Sequence, residues 1–80
     1  MERQAIIEKI HASLVSTLGH ENFEMSDNLL ATDVEGWDSL THMSILTSLE
    51  HEFGVKFKLR EINKLKNMGS LIELIASKLS

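Results

Sequence analysis

Cysteine, proline and tyrosine are absent from the 80 residues, and the aromatic side chains come to one Trp and three Phe. Without cysteine there can be no disulfide, no thiolate metal site and no sulfur nucleophile of the protein's own, so any thiol the chain uses must be attached from outside. Few aromatics and no proline, together with 42% apolar residues, favour a packed helical bundle over a sheet protein or a disordered chain. No apolar run approaches the roughly eighteen residues of a membrane span, and Met1-Glu2-Arg3-Gln4 lacks the charged-then-apolar layout of a secretion signal. A soluble cytoplasmic monomer with no membrane partner is expected. A chain this short forms one domain over residues 1–80, with few layers in which to enclose a substrate cavity of enzymatic size.

The net charge of −4 conceals segregation along the chain. Between Glu21 and Glu52 stand Glu21, Glu24, Asp27, Asp33, Glu35, Asp38, Glu50 and Glu52 with no Lys or Arg, whereas Lys56 to Lys66 contains five bases and one acid. The acidic stretch disfavours nucleic acid as a partner and fits basic protein patches, by complementarity that mainly speeds encounter. A solvated face with no partner is the competing reading of the same charges. The basic run Lys56, Lys58, Arg60, Lys64 and Lys66 has only Phe57 interleaved, too little for base stacking, and reads as solvated.

Hydrophobic period places the elements. Ile7, Ile10, Leu14 and Leu18 recur at three- and four-residue steps, predicting a first helix over about Glu2 to Leu18, with Gly19 as its stop. Residues His20 to Asp38 show no sustained period and read as a long ordered loop, pinned to the core by Phe23, Met25, Leu29 and Leu30, with a short turn starting near Ser26-Asp27-Asn28. A second helix runs from Ser39 to Phe53 and ends at Gly54. A short helix follows around Leu59, Ile62 and Leu65, and a last one from about Ser70 to Leu79. For this last helix Ser70-Leu71-Ile72-Glu73 fits a capping box, and Leu71, Leu74, Ile75 and Leu79 form the apolar face. The expected fold is all-α, a small four-helix bundle of three longer helices and one short one.

Ser39 lies at the junction of loop and second helix, within Gly36-Trp37-Asp38-Ser39-Leu40. Asp38 is placed to cap the helix, its carboxylate accepting from first-turn amides and favoured by the dipole. Ser39 is then the first helical residue, where an esterified phosphate would meet a favourable field. An ordinary cap-region serine is the competing reading. Stepping about 100° per residue from Ser39, the side chains of His42, Ile45, Leu46, Leu49 and Phe53 fall between about 240° and 340°, the stripe that should face the other helices. Leu40, Met43 and Thr47 fall between about 40° and 100°, outside that stripe and beside Ser39, while Glu50 returns to about 20° and is counted with them and Asp38 as partner-facing. Apolar residues placed where packing does not require them, next to one hydroxyl, fit a docking surface, with ordinary scattered surface apolar residues as the competing reading.

The motif Gly36-Trp37-Asp38-Ser39-Leu40, followed by Leu49-Glu50-His51-Glu52-Phe53-Gly54-Val55 and preceded by Asp27-Asn28-Leu29-Leu30, resembles the acyl carrier protein family of phosphopantetheine-binding domains. The likeness extends along nearly the whole chain. It implies that Ser39 is the attachment point for 4′-phosphopantetheine, transferred from coenzyme A by a separate magnesium-dependent phosphopantetheinyl transferase. It further implies that an acyl, aminoacyl or polyketide intermediate rides on the arm's thiol as a thioester, passed among acyl-loading and acyl-processing enzymes of a biosynthetic pathway. Leu40 and Met43 match partner-contacting positions of the family, and Asp38 belongs to the motif the transferase recognises. Ser44 and His51 stand where fatty acid synthesis carriers often have acids, while Trp37 and Thr41-His42 look closer to stand-alone carriers of specialised pathways.

An enzyme is not expected. His42, three residues after Ser39, has no matching acid, no Gly-x-Ser-x-Gly turn presents the serine, and the wheel sends the imidazole toward the core. His11, His20 and His51 lack ligand spacing, so no metal is assigned. An unmodified interaction module of the same fold, using Leu40, Met43 and the acidic loop to bind a partner, is the alternative from a different functional class.

Overall fold

In a computed structural model, which describes residues 2–79, four α-helices succeed one another: α1 (Arg3–Leu18), α2 (Ser39–Phe53), α3 (Leu59–Asn63) and α4 (Met68–Leu79). A single 3-10 turn, Ala31–Asp33, interrupts the loop between α1 and α2, and no strand occurs among the described residues. The all-α reading and the bounds of α1 and α2 therefore hold. α1 stops at Gly19, whose amide donates to the Val15 carbonyl.

Each longer helix buries one stripe. Ile6, Ile10 and Leu14 of α1, Ile45, Leu46, Leu49 and Phe53 of α2, and Met68, Leu71, Ile72 and Ile75 of α4 form one hydrophobic cluster. Burying such side chains is worth about 1.5–3 kcal/mol each against exposure, which is what holds short helices together in water. Ile6 lies at the centre of the α1 stripe, with Ile7 and Leu18 only half-buried at its margin, and Ile72 takes the core place expected of Leu74 in α4. Ser13 is the one buried polar residue among the described residues; its hydroxyl is 3.0 Å from that of Ser48 across the α1–α2 interface. That pairing and the Lys9–Glu52 ion pair at 2.9 Å run in opposite senses along the two helices, so α1 and α2 are antiparallel.

Gly54 ends α2 at φ 66°, a left-handed conformation that costs a residue without Cβ little. The chain's reversal there lets the amides of Gly54 and Val55 both reach the Glu50 carbonyl.

α4 begins two residues before the expected Ser70. Asn67 Oδ1 accepts from the Ser70 amide at 2.9 Å, and so fills the capping role assigned to Ser70 from the Ser-x-x-Glu pattern. The two amides before it are satisfied by the distant loop: Met68 donates to the Leu29 carbonyl at 2.8 Å and Gly69 to the Asp27 carbonyl at 2.9 Å. A Cβ on Gly69 would stand 3.1 Å from both Asp27 Cβ and its carbonyl oxygen, so the close approach of loop and helix depends on glycine.

The loop from His20 to Asp38 is ordered by such clamps. Phe23, Met25 and Leu29 pack on the core as expected, but Leu30 is exposed, and the side chain buried instead is Val34. Leu30 heads the 3-10 turn, where its amide donates to Asp33 Oδ2, and this directs its side chain outward. Arg3 bridges Asp27 at 2.6 Å and Glu73 at 3.1 Å, tying α1, loop and α4 together.

Candidate functional site

The entry to α2 is built by two side chains acting reciprocally. Asp38 Oδ1 accepts from the amides of Leu40 at 3.0 Å and Thr41 at 2.9 Å, as the capping argument requires. Thr41 returns the contact: its hydroxyl oxygen accepts from the Asp38 amide at 2.7 Å and donates to the Gly36 carbonyl at 2.8 Å. Gly36, at φ 86°, supplies the turn that brings its carbonyl within reach. These bonds, first the Thr41 amide and then its hydroxyl, hold the Asp38 carboxyl below the usual carboxylate range.

Ser39, the first residue of α2, is exposed, and its hydroxyl makes no hydrogen bond among the described residues. An ester at this oxygen would break no existing bond. Beside it lies a shallow open depression lined by Ala31, Trp37, Asp38, Ser39 and His42. Trp37 and His42 also border a narrower cleft of about 50 Å³ that runs inward to Leu29, Leu65, Met68 and Leu71. That volume accommodates no more than a few waters.

His42 departs from its expected place. Its ring is half-buried at the rim of the core, and its Nδ1 accepts a hydrogen bond from Trp37 Nε1 at 3.0 Å. The wheel gave its direction but could not anticipate an indole at the end of the loop that would stop it short of the core. Trp37 packs against the core cluster and so closes the loop onto the helix.

The residues beside Ser39 divide into two groups. Leu40 is 81% exposed, Met43 50%, and Thr47 is also open to solvent, so the side of α2 next to the serine does present apolar surface. Glu50 is different: it is half-buried, and its Oε2 accepts from the Phe57 amide at 2.7 Å, holding the segment after Gly54 against α2. Of the three residues that marked the short helix, Leu59 opens α3 and is 73% exposed, while Ile62 within it and Leu65 just after it pack inward. Its position as first residue of a five-residue helix carried no periodicity that would have revealed this.

Two other histidines, His11 and His20, serve the loop, while His51 is exposed in the last turn of α2. His20 Nδ1 accepts from the Asn22 amide at 3.0 Å and Nε2 lies 2.6 Å from the Glu35 carbonyl, while His11 stacks at a tilt on Phe23. No group of three or more metal-ligating side chains occurs among the described residues. None of the helices is long and apolar enough to cross a membrane among those residues.

Comparison with known proteins bears on this geometry. The family model for a phosphopantetheine attachment site matches residues 8–75. An acyl carrier protein of Petrotoga mobilis is 29% identical over 80 residues, covering all of this chain and 94% of that protein. One from Thermotoga maritima is 27% identical over 77 residues, covering 96% and 95%. Among solved structures, the solution NMR structure of holo acyl carrier protein from Geobacter metallireducens superposes with a TM-score of 0.85 at 32% identity, covering 92% of this chain and 85% of that one. By the extent of the family match and the agreement in fold, the chain belongs to the acyl carrier protein family, whose members are carriers rather than enzymes and use 4′-phosphopantetheine as cofactor.

Proposed function

We propose that Ser39 bears the phosphopantetheine arm and that the domain carries an acyl, aminoacyl or polyketide intermediate as a thioester on it. The observation that supports this reading most directly is the state of Ser39: exposed, its hydroxyl free of hydrogen bonds among the described residues, and fixed at a helix start by the Asp38–Thr41 cap. In the attachment step the Ser39 oxygen forms a bond to the arm's phosphorus, the pyrophosphate bond of coenzyme A breaks, and the adenosine bisphosphate half leaves. The hydroxyl proton passes to a base of the transferase. Since the chain has no cysteine, the thiol that holds the cargo comes entirely from the arm.

Leu40, Met43 and Thr47 form the face offered to the transferase and to the enzymes that load and process the cargo, with Asp38 part of the recognised motif. Ser44 and His51 on α2, and Trp37 before it, favour a stand-alone carrier of a specialised biosynthetic pathway over the fatty acid synthesis carrier. The whole of residues 1–80 acts as one carrier domain in this proposal.

Intact mass after incubation with coenzyme A and a broad-specificity phosphopantetheinyl transferase tests the proposal. A gain of one arm in the wild type and none in Ser39→Ala is expected. Failure to gain it with several competent transferases would favour the unmodified interaction module instead.

A further inference from the structure

Attachment of the arm at Ser39 places a phosphodiester, with its negative charge, at the first residue of α2. Two of the helix amides that would ordinarily receive such a charge are already engaged: Asp38 Oδ1 takes those of Leu40 and Thr41, which leaves the Ser39 amide. The amide after them, that of His42, is committed to the Asp38 carbonyl at 2.8 Å. The phosphodiester therefore arrives next to a carboxylate that has used two first-turn donors, and the Ser39 amide alone cannot serve all of its oxygens.

One side chain beside Ser39 offers a further donor. Indole nitrogen is a donor only, so the 3.0 Å contact of Trp37 Nε1 with His42 Nδ1 makes Nδ1 the acceptor and leaves the proton of the neutral imidazole on Nε2. That Nε2 has no partner among the described residues, where no buried side-chain nitrogen or oxygen is left unsatisfied, so it is not fully buried. His42 and Ser39 line the same depression, and side chains three apart on a helix have Cβ atoms about 5–6 Å from one another. An imidazole extends far enough from there to meet an oxygen on a phosphorus bonded to Ser39 Oγ.

We propose that His42, held in one tautomer by Trp37, donates its Nε2–H to the phosphodiester formed at Ser39 and so positions the root of the arm over the depression. The inference rests on the carrier reading of Ser39. His42 is a positioning residue in it: no bond is made or broken at the ring. Trp37 acts through His42, because removing the indole N–H frees the ring to take the other tautomer or to rotate.

The test uses holo protein prepared with a transferase and coenzyme A, its modification verified by intact mass before any other measurement. The phosphorus-31 NMR resonance of the diester is compared in the wild type, His42→Leu, His42→Gln, Trp37→Phe and Lys66→Met, Lys66 being the cation that borders the adjoining cleft. The resonance is expected to move in His42→Leu, to return part of the way in His42→Gln, whose amide also donates, to shift less in Trp37→Phe, and to stay in place in Lys66→Met. An unmoved resonance in His42→Leu with the arm attached overturns the proposal and leaves the carrier reading intact, as does a resonance that follows Lys66 instead. Should His42→Leu fail to fold, Trp37→Phe decides the matter by the same resonance. Absence of any mass gain in the wild type removes the carrier reading and this proposal with it.

Discussion

Replacing Glu50 separates two roles that its place on α2 allows. If it only faces a partner, Glu50→Ala changes binding and leaves the fold alone. In the structure, however, its carboxylate accepts from the Phe57 amide at 2.7 Å while half-buried, next to the backbone carbonyl that receives the amides of Gly54 and Val55. Alanine leaves the Phe57 N–H without its acceptor in a partly covered place. A hydrogen bond to a charged group is worth about 1.5–3 kcal/mol and water can recover part of it here, so a loss of roughly 1–2 kcal/mol is expected. The better helix propensity of alanine returns a few tenths of a kcal/mol at most. For a chain of this length each kcal/mol moves the melting temperature by about 4–8 °C, which gives a fall of roughly 5–15 °C. Thermal melts followed by circular dichroism measure it, with Thr47→Ala as the control for an exposed change on the same side of α2, expected within about 0.5 kcal/mol of wild type. Glu50→Gln, which keeps an oxygen acceptor, should recover most of the loss. A Glu50→Ala melt that coincides with that of Thr47→Ala would refute the structural role.

Leu46→Ala, at a side chain 2% exposed, should cost about 2–5 kcal/mol by opening a cavity, whereas Ser39→Ala leaves urea unfolding nearly unchanged. Equal losses in the two would mean that the buried stripe of α2 is misplaced. Met43→Glu should leave the melt within about 0.5 kcal/mol of wild type and weaken binding to the transferase, as read by titration calorimetry. Acid should destabilise the fold through Asp38 and Glu61, the latter lowered mainly by its bond to Lys78 and then by the Lys58 amide. Both carboxyls lie lower in the folded state than their unfolded values near about 4, so their contribution is complete above that pH and disappears as pH falls through the folded values. Urea midpoints should therefore hold from neutral pH to about 5 and then decline, less steeply in the Asp38→Asn, Glu61→Gln double variant.

What could be read from the residues alone was whatever depends on near neighbours in sequence. α2 was legible at both ends because Asp38 and Gly54 do their work within four residues, and its stripe was legible because Ile45, Leu46, Leu49 and Phe53 repeat with the helix. Ser39 was legible for the same reason. The start of α4 was misread because Ser70 and Glu73 have the spacing of a capping box, while the groups that satisfy the first amides, Leu29 and Asp27, are some forty positions upstream. The structural tie of Glu50 was invisible since a wheel gives direction around an axis and says nothing of where the chain goes after Gly54. Val34 and Leu30 exchanged roles in a stretch without period, where one 3-10 turn decides which side chain faces in.

These long-range ties explain how a loop of nearly twenty residues can present one hydroxyl at a fixed place. Such a loop loses substantial chain entropy on ordering, and its own apolar residues are too few to compensate without help. The help is distributed along it. His20 joins the loop's start to the Glu35 carbonyl, Arg3 and Gly69 hold Asp27, Met68 holds Leu29, and Val34 is buried. Trp37 then packs on the core and bonds to His42, immediately before the cap. One tie closes the loop on itself and the others reach α1, α2 and α4, so the segment is restrained along its length and the Gly36–Asp38 turn meets α2 already formed. Ser39 needs no hydrogen bond of its own to be held still. Its backbone is fixed by neighbours on either side, and its oxygen is left free for chemistry done by another protein.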